Sequence, residues 1–158
     1  MSSRKEIMQR RVTTPLPDTE FWKHYHRRSS GILHWSEVDA LWSELTRSEG
    51  AWFVFDPAED APDTSIEGSE FEAFITKARN LVDQRRDRPM SGAVYVDDRE
   101  SPGMIKVFDP VHMGTSCGCS SERVMPRWIF SRIKPDTLPI APPPKTGPLA
   151  WLSKYSGK

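Results

Sequence analysis

The chain has 158 residues, 37% of them hydrophobic, with six tryptophans, seven phenylalanines and 14 prolines; this length suits one domain and argues against a second full core. Twenty-two basic and 22 acidic side chains cancel, so the whole-molecule field that draws proteins to nucleic acid or to an anionic membrane is missing. A mean hydropathy of −0.59 and the many prolines predict a folded centre with loose polar ends.

Charge is unevenly spread along the chain. Residues 1–34 hold 7 Lys/Arg against 3 Asp/Glu, residues 35–80 hold 3 against 11, and residues 81–158 hold 12 against 8. The acidic middle reads as the solvated side of two amphipathic helices, with a docking face for a basic partner as the functional alternative.

The opening residues, MSSRKEIMQRRVTTPLP, are basic but lack the apolar run of a secretory signal, and no stretch approaches the roughly 20 apolar residues of a membrane span. The reading is an intracellular, cytoplasmic protein with no membrane partner. Residues 1–30 are read as a basic tail. Within it Phe21, Trp22 and Tyr25 stand among basic residues, the mixture that builds interface hot spots, and are candidate partner-binding anchors.

An α+β domain is expected over residues 31–135. In HWSEVDALWSELTRSEG, Ser36 is placed as a helix cap, Trp35 as its staple, and Val38, Leu41, Trp42 and Leu45 fall on one helical stripe that Gly50 ends. AWFVF, residues 51–55, is too short for a helix and suits a strand apolar on both faces, hence a central one. A second helix follows in SEFEAFITKARNLVDQRRD, with Ser69 and Glu72 as a capping box and Arg85, Arg86 and Arg88 complementing the dipole at its C-terminal end.

GAVYVDD and MIKVFD then form a hairpin across RESPG, and RWIFSRI supplies a last strand whose alternation separates Trp128, Phe130 and Arg132 from Ile129, Ser131 and Ile133. These elements add up to a small mixed four-stranded sheet with two helices on one face and extended N- and C-terminal tails. Residues 136–158 are read as a proline-rich linker leading to a short apolar docking segment. That segment carries Trp151, Leu152 and Tyr155 as partner-binding candidates.

The only two cysteines, Cys117 and Cys119, lie in the long connection 110–126. Three readings compete there. The cysteines are ordinary reduced thiols; or a thiol enzyme, hydrolytic or redox, uses Cys117 with His112 as base and Asp109 as orienting carboxylate; or Cys117, Cys119 and His112 hold a soft metal, zinc or copper. The one-residue spacing suits neither a structural zinc pair nor an unstrained disulfide, so no cofactor is the first expectation and zinc or copper the alternative. FDP occurs twice, at 55–57 and 108–110. If the two strands run parallel, Asp56 and Asp109 share one edge of the sheet.

The resulting expectation is a non-enzymatic intracellular accessory or assembly protein that binds a protein partner through its tails and the 110–126 loop. The rival is the cysteine-dependent enzyme or metal-handling protein. Nucleic acid is disfavoured by the neutral charge, and self-association is left open.

Overall fold

The computed structural model describes residues 16–111 and 124–138. These form three helices, α1 (Glu20–His26), α2 (Trp35–Arg47) and α3 (Ser69–Asp83), and five strands, β1 (Ser30–Gly31), β2 (Phe53–Phe55), β3 (Val94–Val96), β4 (Met104–Val107) and β5 (Trp128–Ser131). The fold is α+β. The sheet has five strands rather than four, in the order β1-β3-β4-β5-β2, and every pairing is antiparallel rather than mixed. The extra strand, β1, is two polar residues long, too short to leave a period-2 signal in the sequence.

Side-chain alternation divides the interior into two cores. Val94, Val96, Ile105, Val107 and Phe130 face the apolar stripes of α2 and α3. Met104, Ile129 and Phe55 face the other way, against Phe21, Trp22 and Tyr25 of α1. Helices therefore cover both faces of the sheet, not one. Thr19 starts α1, its hydroxyl accepting the Trp22 N–H at 3.4 Å, and Phe21 and Trp22 are fully buried. The segment read as a tail is the cover of the second face.

At the other end of the domain the core also extends further than expected. The Trp22 indole donates to the Asp136 carbonyl at 3.0 Å, Ala61 N donates to Thr137 Oγ1 at 2.8 Å, and Leu138 is completely buried. The expected boundaries at residues 30 and 135 therefore cut through packed structure.

Helix starts lie earlier than expected, by two residues in α2 and by one in α3. α2 begins at Trp35 without a side-chain cap, the Trp35 indole instead donating to the Arg88 carbonyl at 2.8 Å. α3 begins at Ser69 behind Gly68, whose φ of 63° takes the cap position that Ser69 was expected to fill. A residue with a side chain resists that left-handed conformation, so glycine is the fitting residue there. The arginines stand beyond the last turn of α3, which itself holds no basic residue. Arg86 lies beyond the helix and grips Asp39 of α2 with two bonds, at 2.9 and 2.6 Å, and Asp83 at 3.2 Å. This clamp ties α2 to α3, and the Arg86 hydrogen bond holds the Asp39 carboxyl below its usual range.

β2 lies at the sheet edge, not at its centre. Its apolar run is explained because Val54 packs toward the first core and Phe55 toward the second; a strand between two helical layers needs apolar residues on both faces wherever it sits laterally. Phe53 is only half-buried. Phe55→Ala is accordingly expected to cost about 3–5 kcal/mol and Phe53→Ala less than about 3 kcal/mol. Urea unfolding of the two variants gives the order, and an equal or reversed loss would contradict the edge position.

Candidate functional site

β2 and β4 run in the same direction with β5 between them, because each is antiparallel to β5. Both FDP motifs therefore leave the sheet at one end, where β5 also begins. Asp56 is engaged by Arg127 and the 56–58 turn. Its Oδ2 accepts from Arg127 Nη1 at 2.6 Å and its Oδ1 from Ala58 N at 2.9 Å. The Arg127 guanidinium lies over the Trp128 ring, 4.4 Å from its centroid. Asp109 Oδ1 accepts from Val111 N at 2.9 Å, which turns the chain out of β4.

Beside the Asp56–Arg127 pair opens a cleft of about 420 Å³ between α3, the end of β2 and the 56–62 loop, within the range of roughly 300–1,000 Å³ typical of ligand sites. Val54, Phe74 and Trp128 give it an apolar floor, and Glu59 and Asp60 stand on its rim. Lys77 reaches back over the Phe74 ring at 4.7 Å.

The same end of the sheet carries an apolar patch. Leu33, Met90 and Val111 are 43%, 50% and 55% exposed. Ser91 N donates to the Leu33 carbonyl at 2.8 Å, which sets the backbone of Leu33 beside that of residues 90–91, and the end of β4 lies alongside because Phe108 N donates to Ala93 O at 2.7 Å. Trp35, Arg85, Arg88 and Pro110 line a narrow slot beside Met90. The described chain stops at Val111 at this end and resumes at Val124.

A second polar cluster sits at the opposite end, under α1. His24 Nε2 and Asp97 Oδ2 are 2.8 Å apart. Lys106 Nζ donates to the Tyr25 carbonyl at 2.7 Å and lies 3.9 Å above the Tyr25 ring. Burial pushes the Lys106 amine down, opposed by the charge of Asp97. Asp97 Oδ1 also accepts from the N–H groups of Asp98, Gly103 and Met104 at 2.9, 2.9 and 3.0 Å. Burial would raise the Asp97 carboxyl, but the hydrogen bonds from Gly103, His24, Met104 and Asp98 outweigh it and hold the carboxyl low. The backbone bonds to Asp97 organise the β3–β4 turn, and the His24–Asp97 and Lys106–Tyr25 contacts pin α1 to the hairpin.

Of the residues singled out in the sequence, Asp109 lies at the sheet end, while His112, Cys117, Cys119, Trp151, Leu152 and Tyr155 lie outside the described residues. Phe21, Trp22 and Tyr25 are spent on the chain's own core, so their expected role as partner anchors is withdrawn; aromatic and basic residues in alternation also describe a short helix with one buried face. The Leu33–Met90–Val111 patch leaves no mark in the sequence, because isolated apolar residues beside turns carry no period. Among the described residues no group of three or more His, Cys, Asp and Glu is placed to hold a metal ion.

The class defined by these elements is a three-layer α+β domain with an antiparallel sheet between helices. Comparison of the chain with protein-family models, with curated proteins and with solved structures gave no match. Among the described residues no helix is long and apolar enough to cross a membrane.

Proposed function

We propose that this chain is a non-enzymatic, cytoplasmic accessory protein that binds a protein partner at the end of the sheet from which the 110–126 segment leaves. One observation carries the reading: Leu33, Met90 and Val111, the large apolar side chains left exposed among the described residues, all gather at that end. Apolar side chains beside a tryptophan and exposed arginines have the composition of a protein interface, with methionine supplying an adaptable surface. The polar groups nearby are engaged with one another, as in the Asp56–Arg127 pair, which suits a framework for a docking surface.

A photo-crosslinking amino acid at position 111 of the full chain tests it in extract of the source cells. A discrete protein adduct is expected, and it should be lost in Leu33→Asp/Met90→Asp, two exposed positions whose substitution is expected to leave the fold intact, as circular dichroism checks. An adduct of twice the chain mass would identify the partner as a second copy. Crosslinking that ignores those two substitutions would reject the patch. The rival, thiol or metal chemistry at Cys117 and Cys119, would gain if protein purified under reducing conditions carried stoichiometric zinc or copper that Cys117→Ser and Cys119→Ser removed.

A further inference from the structure

The sheet has an open edge at β2. Trp52 spends its backbone N–H and C=O on Ile66, at 2.8 Å in each direction. Backbone polar groups alternate in direction along an antiparallel strand. Phe53 and Phe55 therefore turn theirs toward β5, and Val54 turns its pair outward, as Trp52 does. Among the described residues nothing continues the pairing opposite Val54. The other edge is treated differently: at β1 the outward carbonyl of Gly31 is capped by Arg99 at 2.7 Å.

Val54 opens onto the cleft of about 420 Å³. Counting Asp56, Glu59 and Asp60 against Lys77 and Arg127, its lining carries one net negative charge. An occupant that fits offers an extended backbone, large apolar side chains and a cation. Residues 149–155, LAWLSKY, have this composition. In an extended strand Leu149, Trp151 and Tyr155 fall on one side and Lys154 on the other.

The chain also leaves the described structure at the right place. Thr137 is bonded to Ala61, and Leu138 is buried in the core that Ala58 and Ala61 help to form, so the last described residues sit against the loop forming one wall of the cleft. Ten residues, 139–148, separate Leu138 from Leu149; at about 3.1 Å per residue for a proline-rich stretch they span about 30 Å, ample to turn back.

We propose that residues 149–155 dock in cis in this cleft, adding a short strand to the free edge of β2, with Trp151 on the apolar floor and Lys154 toward the acidic rim. The site is separate from the patch at Leu33, Met90 and Val111, and the inference does not depend on the partner-binding reading. Among the described residues β2 is the edge left unpaired beyond Trp52, and a strand docked there would protect it from pairing with other chains.

The full chain labelled with 5-fluorotryptophan tests this by fluorine NMR. Six tryptophans give six signals, and Trp151→Phe identifies the one from Trp151. In the intact chain that signal is expected away from its position in a synthetic peptide of residues 146–158, at every protein concentration. Glu59→Lys/Asp60→Lys changes two exposed side chains and is expected to return it to the peptide position; the signal of Trp128, which lines the cleft, should move with it, while those of Trp22, Trp35, Trp42 and Trp52 stay, which also reports that the domain is folded. A Trp151 signal at the peptide position in the unsubstituted chain would overturn the proposal. So would a shifted signal that ignores the two lysines, which places the segment elsewhere, or one whose shift grows with concentration, which assigns it to a second copy.

Discussion

Trp22→Ala is expected to destabilise the protein by about 3–5 kcal/mol, the usual loss when a large aromatic side chain is deleted from a packed interior. Trp22 is completely buried, and its ring meets those of Phe21, Tyr25 and Phe55 edge-on at 4.9, 5.1 and 6.0 Å. Its indole N–H holds the Asp136 carbonyl, so the substitution also leaves that acceptor without its donor. Trp22→Phe keeps most of the apolar volume and loses the bond, for an expected cost of about 1–2 kcal/mol. Urea unfolding measures both. A loss for Trp22→Ala within about 0.5 kcal/mol, the usual range of a surface substitution, would mean that α1 is a dispensable tail after all.

Asp97→Ala is expected to cost about 2–3 kcal/mol at neutral pH, because three backbone N–H donors of the β3–β4 turn and the His24 ring lose a charged acceptor at once. The carboxyl is held below its ordinary value, so protons bind it more tightly in the unfolded chain, where Asp titrates near about 3.9. Its contribution is therefore complete above that unfolded value and is lost as pH falls through the folded one. The groups facing it are His24 and, through its charge, Lys106. Asp97→Asn retains an acceptor for the turn, so it should cost less, and the gap between native and Asn variant should shrink as pH is lowered from about 6 to 3. A gap that stays constant across that range would show that the charge of Asp97 contributes nothing.

The amphipathic elements were legible because their signal is local. Val38, Leu41, Trp42 and Leu45 repeat at helical spacing and all are buried on α2; Trp128, Ile129 and Phe130 alternate and divide between the two cores as a strand requires. The candidate site was legible in one respect, the turn chemistry of the two FDP motifs, which do leave the sheet at one end. The partners of their carboxylates were not, since Arg127 meets Asp56 across 71 positions of chain and nothing near either residue announces the other.

The sequence by itself determined α2, α3 and the strands β2 to β5 as elements, since periodicity and turn residues act over a few positions, whereas α1 and β1 are too short to carry such a pattern. Tertiary structure decided where those elements went. β2 became an edge strand although it is apolar on both faces, and Phe21, Trp22 and Tyr25 became core although their surroundings are basic. Burial depends on what arrives on the far side of the sheet, and here α1 and residues 136–138, from opposite ends of the described chain, arrive there together. That meeting is a long-range event that leaves no local mark.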